Sequence, residues 1–150
     1  MTICTKNREL LFDNSEIKSV ARDCWLAIPD HYPHAAIDKF IVMPNHMHGI
    51  IFINNDGKGT ACRALTFEQF GKPVSGSLPT IIRSFRSAAT KQINILKNTP
   101  GSPVWQRNYY EHIIRNETDL NNIRQYIIDN PINWEEDENN PKILQEAPEK

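Results

Sequence analysis

The sequence predicts an α+β domain in which helices pack on one face of an antiparallel sheet. Three observations carry that reading. The chain has 150 residues, 39% hydrophobic and 23% charged, which is the size and composition of one globular domain with its own core. Period-2 and period-3.6 apolar patterns alternate along it in the order strand, helix, strand, strand, helix, strand, helix. The two middle strands are separated only by Pro44-Asn45, so they form an antiparallel pair. The first six elements suit a split β-α-β arrangement, with the second sheet face left open for a site or another layer.

Each element follows from its residues. Thr2–Thr5 reads as a short strand at the terminus. Ser15–Ile28 reads as a helix, because Ile17, Val20, Ala21, Cys24, Trp25 and Ile28 fall on one stripe and Pro29 stops it. Ile37–Met43 and His46–Ile53 are the paired strands, followed by an Asn54–Gly59 loop. Residues 60–77 have weak patterning and no assigned element. Leu78–Leu96 is the clearest helix: Leu78, Ile81, Ile82, Phe85, Ala89, Ile93 and Leu96 line one side, while Arg83, Arg86 and Lys97 fall on another. Pro100-Gly101-Ser102-Pro103 breaks the chain before a fourth strand at Tyr109–Ile114. Asn116 or Thr118 caps a last helix over Asp119–Asp129, which Pro131 ends near Asn130. Beyond Trp134 the composition predicts an acidic, loosely held tail over 135–150.

Charge is unevenly spread. The formal net charge is -1, yet Lys72, Arg83, Arg86, Lys91, Lys97 and Arg107 form a stretch with no acid in it. Six acids gather after Trp134, against Lys142 and Lys150; setting that tail aside leaves 15 basic and 12 acidic residues. A mildly basic body of this kind can steer a polyanion. No run of 18 apolar residues exists, so no membrane span is expected. Cys4, Cys24 and Cys62 have neither disulfide-framework nor zinc-knuckle spacing, which points to a reducing, cytoplasmic setting.

The sharpest local feature is His46-Met47-His48. Histidines at i and i+2 of a strand project from one face, where both rings can converge on a metal ion, while Met47 turns to the core. The same pattern suits strand histidines facing solvent. Asn130 is the candidate third ligand: it lies one helical turn from Tyr126, placing a carboxamide oxygen and a phenol on one face. Asn130 equally suits a helix C-cap, and Tyr126 amphipathic packing. His31, His34 and His112 are not selected by spacing. A tyrosine beside a divalent ion can attack a phosphodiester, keeping its energy in a phosphotyrosine so that rejoining needs no ATP. Arg83, Arg86 and Lys97 could hold backbone phosphates, and Trp105, Tyr109 and Tyr110, beside Arg107, could stack on unpaired bases. Burial of each aromatic in or beside a strand accounts for it equally well.

Several ordered stretches together resemble a known family. His46-Met47-His48 matches the histidine-hydrophobic-histidine motif of HUH single-tyrosine endonucleases. The segments from Phe40 to Ile50, Ser84-Phe85-Arg86-Ser87, Val104 to Arg115, and Asp119-Leu120 through Tyr126 to Pro131 resemble the REP-associated tyrosine transposases over roughly residues 2–134. The resemblance implies a ferredoxin-like or RRM-like domain over 1–134 with a C-terminal helix carrying the tyrosine. It implies single-stranded hairpin DNA as substrate, His46 and His48 as ligands of Mg or Mn with Asn130 on or near the ion, and Tyr126 as the nucleophile that forms a 5′-phosphotyrosine. Monomer and homodimer are both compatible with it. Relatives carry residues ahead of the first strand, whereas this sequence begins inside it, so the domain reads as N-terminally shortened. Two other functions fit the same residues: a nucleic-acid-binding module with a decayed site, and a metal-dependent hydrolase that uses water.

Overall fold

The structure is a computed structural model that describes residues 1–54 and 74–146. Most of the expected Asn54–Gly59 loop, the weakly patterned stretch to residue 73, and Cys62 lie outside the described residues. Among the described residues, three strands form one antiparallel sheet in the order β1-β3-β2: β1 Thr2–Cys4, β2 Ala35–Val42 and β3 His46–Ile53. The β2–β3 register pairs Val42 with Met47 and Ile41 with His48, then shifts between Ile37 and Phe40. On the other side of β3, Thr2 faces His48, Ile3 faces Met47 and Cys4 faces His46. The histidine strand is therefore the central one.

Two helices cover one face of the sheet. α1, Ser15–Leu26, starts at Asn14, whose side chain accepts from the backbone N–H of Glu16 and Ile17. Pro29 does more than end it: the chain restarts as a short helix α2, Ile28–His31, with the proline at its first turn, where a missing N–H costs nothing. α3, Leu78–Lys97, is capped by Ser77 and closed by Asn98 in the left-handed region. Ile17, Ala21 and Trp25 of α1 meet Ile81, Ile82, Phe85, Ala89 and Ile93 of α3 over Ile3 and Met47 in the core. Trp25 stands edge-on to Phe85 at 5.2 Å.

The fourth strand is reduced to two points of contact. Tyr110 exchanges both backbone hydrogen bonds with Thr2, and Trp105 bridges to Thr5, so residues 104–110 run antiparallel beside β1. Four residues separate Trp105 from Tyr110, but only two separate Thr2 from Thr5, so the surplus loops out and no ladder forms. Of the expected strand at Tyr109–Ile114, only Tyr110 pairs, as an isolated bridge.

α4, Glu117–Asp129, is capped by Asn116, which accepts from Asp119 N–H. It lies on the opposite sheet face, where Arg124 donates to Asp38 of β2 through Nε at 2.7 Å, with Nη2 at 2.6 Å. α4 thus roofs the face that α1 and α3 leave open. The acidic stretch after Trp134 is also not loose through residue 146. It forms a 3-10 turn at Trp134–Glu136 and a helix α5, Pro141–Glu146, with Asn139 and Asn140 buried between them. Buried amides need partners, and these have them: Asn140 Nδ2 donates to Trp134 O, and Asn139 Nδ2 donates to Asp137 Oδ1, while the Asn139 backbone O accepts from Asn45 Nδ2.

Candidate metal and tyrosine site

Strand alternation settles which way the motif points. Met47 is fully buried in the helix-side core, so His46 and His48 face α4. Gly49 then turns back to the core beneath Trp25. A Cβ there would lie 2.3 Å from Trp25 Cζ2, so glycine is what lets the indole cross the strand directly behind His48.

The two imidazoles converge. Their Nε2 atoms are 3.1 Å apart, and both rings are buried. Each far nitrogen is oriented by a partner: His46 Nδ1 donates to Asn45 Oδ1 at 2.8 Å, and His48 Nδ1 meets Thr2 Oγ1 at 2.8 Å. The first of these leaves His46 Nε2 as the bare lone pair of a neutral ring. Burial lowers the pKa of His46, and Asp137 opposes the shift. Burial, with the His46 charge second, lowers His48 to about 3. Both rings are thus neutral, as ligation requires, and two nitrogens so close need a shared proton or cation between them.

Asn130 and Tyr126 complete this face. The Asn130 carboxamide reaches both His46 and Tyr126, yet its Oδ1 is buried with no hydrogen-bond partner. An orphaned buried carbonyl oxygen beside two neutral imidazoles fits a divalent cation, and this donor set suits Mg or Mn with further oxygens, although imidazole also serves Zn. The Tyr126 ring centroid is 5.2 Å from that of His48. Tyr126 is 55% exposed, so a substrate can reach it from solvent. Burial of the phenol, and then Asp137, raise its pKa, with the Asn130 contact opposing them.

The spacing argument missed Asp137. Its carboxylate, with the His46 and His48 nitrogens, forms a trio of ligand atoms within 4.8 Å of one another. It was hidden in a stretch that composition reads as tail. By sequence, Asn45 is likewise only a turn residue and Trp134 only a boundary. In the structure Asn45 is wholly buried, and the Trp134 ring lies 5.8 Å from His46. The proline-asparagine step directly before the first histidine was the available signal for Asn45.

The expected DNA-contact residues separate into two groups. Arg83, Lys97, Arg107 and Tyr110 are exposed, and Tyr109 is half-buried. Trp105 is not a stacking platform: it is 6% exposed and packs between Phe12 and Phe85. Arg86 is also committed inward, donating to the carbonyls of Gln106 and Arg107 and so satisfying the looped-out segment. Burial lowers its pKa, against the Tyr109 effect. His34 meets Gly76 O and His112 meets Asp119, so neither joins the site; His31 is exposed.

No protein-family profile matches the chain. An uncharacterized protein of Haemophilus influenzae is 40% identical, over 92% of this chain and 82% of that one, and the two belong to one family. A putative REP-associated tyrosine transposase of the same organism is 30% identical over 104 residues, 69% of this chain and 52% of that protein. A solved REP-associated tyrosine transposase bound to a REP hairpin has a TM-score of 0.60 at 21% identity, over 89% of this chain and 65% of that one. The chain is thus similar in sequence to a putative REP-associated tyrosine transposase and similar in fold to a solved one. It spans about half the length of the putative transposase and 65% of the solved one. The likeness to the solved structure is one of fold, a small α+β domain. Among the described residues, no helix is long and apolar enough to cross a membrane.

Proposed function

We propose that the chain is a metal-dependent single-stranded DNA endonuclease and strand transferase acting on hairpin or palindromic repeat DNA. The observation that carries this is the orphaned Asn130 Oδ1, buried beside two converging neutral imidazoles and one helical turn from an exposed tyrosine. His46, His48 and Asn130 would hold Mg or Mn. The ion would supply charge stabilisation to a phosphodiester oxygen. Tyr126 Oη attacks phosphorus and breaks its bond to the 3′ oxygen, leaving a 5′-phosphotyrosine and a 3′-hydroxyl. Because burial raises the phenol pKa, its proton must leave as the bond forms, and the Asn130 contact favours the phenolate. A DNA hydroxyl then attacks the phosphotyrosine and restores the tyrosine. Exposed Arg83, Lys97 and Arg107 are suited to backbone phosphates, and exposed Tyr110 to an unpaired base. The DNA partner agrees with the hairpin bound by the solved relative. In this reading the fold is the ferredoxin-like type, residues 104–110 standing in for its fourth strand, and the protein acts as a monomer or homodimer in the cytoplasm.

The test uses end-labelled single-stranded hairpin DNA from repeats flanking the gene, with Mn or Mg, on a denaturing gel beside Tyr126→Phe. A slow-migrating covalent species absent from the variant is expected. DNA binding without adduct in either metal would point instead to a binding module with a decayed site. Turnover retained in Tyr126→Phe would point to a hydrolase that uses water.

A further inference from the structure

We propose that Asp137 is a ligand of the same metal, so that binding the ion and docking residues 134–140 are one coupled event. This rests on the metal reading of His46 and His48 given above.

Four contacts close a ring through the site. His46 Nδ1 donates to Asn45 Oδ1 at 2.8 Å. Asn45 Nδ2 donates to Asn139 O at 2.7 Å. Asn139 donates to Asp137 Oδ1 through its backbone N–H at 2.7 Å and through Nδ2 at 2.9 Å. The other Asp137 oxygen, Oδ2, then faces His46 Nε2 at 3.8 Å. One carboxylate oxygen is thus spent on holding the turn, and the other is aimed at the nitrogen that ligation would use. A ligating carboxylate is normally oriented in this way by hydrogen bonds to its second oxygen. The separation is long for a direct ion pair and leaves room for a cation between the two groups.

The independent observation is the Asn130 carboxamide, whose buried Oδ1 has no partner and belongs to the same cluster. Two neutral imidazoles and a carboxamide bring no charge to a divalent ion, and Asp137 brings one. The turn it sits on is anchored away from the ion as well: Arg8 Nη1 donates to Glu138 O, and Asn45 Nδ2 also donates to Arg8 O. A ligand on a segment held by so few bonds couples the two equilibria. The ion favours the docked segment, and the docked segment raises affinity for the ion.

The experiment uses the full chain without DNA. Mn binding is titrated by calorimetry, and limited proteolysis reports cleavage within 134–146 with and without Mn. The wild type should bind Mn and become slower to cleave in that stretch. Asp137→Asn should bind at least about ten-fold more weakly and lose the Mn-dependent protection, with circular dichroism unchanged. Unaltered affinity in Asp137→Asn, with binding lost in His48→Ala, would remove Asp137 from the ligand set and leave the metal reading intact. Failure of the wild type to bind Mn would overturn both. Should Asp137→Asn not fold, the wild type alone decides: Mn that binds without slowing cleavage of the segment refutes the coupling.

Discussion

Replacing Gly49 by alanine tests whether the histidine strand and the core tryptophan are fitted to one another. A Cβ at Gly49 would stand 2.3 Å from Trp25 Cζ2 and 2.9 Å from Cε2 and Cη2. These are backbone-fixed carbon against ring carbon, about 1 Å or more inside ordinary contact. The indole has little room to retreat. It is fully buried, edge-on to Phe85 at 5.2 Å and tilted against Phe40 at 6.2 Å. Overpacking of this kind costs about 1–3 kcal/mol, and the closeness of approach puts Gly49→Ala at the upper end. For a chain of this length that is a fall in Tm of roughly 6–12 °C. Thermal and urea unfolding of Gly49→Ala measure it. Combining it with Trp25→Phe, which withdraws the indole atoms nearest the new methyl, should recover part of the loss, so the two substitutions will not add. A Gly49→Ala protein that melts within about 1 °C of wild type would refute the argument.

The other predictions concern charge, burial and the α4 anchor. In chelator, stability should fall with acid, because the fold keeps His48 near 3 while an unfolded histidine titrates near 6.5. The stabilising difference is complete above about pH 6.5 and is lost towards about pH 3 at about 1.4 kcal/mol per pH unit, roughly 2.7 kcal/mol by about pH 4.5. Urea midpoints across that range should flatten in His48→Gln; an equally steep profile in the variant would sink the assignment. Trp105→Ala should lower stability by roughly 3–5 kcal/mol because the ring is core. Tyr110→Ala, at an exposed ring, should leave Tm alone and weaken single-stranded DNA binding by about 1–3 kcal/mol; calorimetry and DNA titration of both variants separate the two roles. A double-mutant cycle of Asp38→Asn with Arg124→Gln should give a coupling of about 1 kcal/mol, since the pair is partly open to solvent. No coupling would mean that α4 is held by Ile127 and its neighbours alone.

Elements with strong periodicity were legible in the sequence, and those that depend on a distant partner were not. The boundaries of α3 and β3 follow from apolar spacing and the Pro44-Asn45 step, and the structure adds the Ser77 cap. The strand at Tyr109–Ile114 did not survive, because its pairing is decided by β1, which offers three fewer positions than a ladder of that length needs. Helical spacing put Arg86 with Arg83 on a basic face, but spacing does not reveal unsatisfied carbonyls twenty residues away, and those draw the Arg86 side chain inward. Trp105 shows the same limit: an aromatic beside an arginine in sequence is one alternation away from the core.

The segment after Trp134 is where composition misleads most, and the cause lies in Asn45. A wholly buried carboxamide must find acceptors for Nδ2 and a donor for Oδ1. The donor is His46 Nδ1, which is also what fixes the metal-facing nitrogen. The acceptors are Arg8 O and Asn139 O, the second from a stretch, 135–140, that has no apolar residue of its own. Leaving such a group unpaired costs about 1–3 kcal/mol, so the same amide that orients the histidine also rewards ordering of the acidic segment. Low hydrophobicity argues for disorder only where a segment has nothing else to bind. Here it binds the supports of the candidate site, and Asp137 comes within reach of His46 as a consequence. Asn45→Ala should therefore loosen two things at once, the His46 ring and the chain beyond Trp134, read as a changed His46 imidazole resonance and faster amide exchange at residues 134–140. If only one of the two changes, Asn45 does not link them.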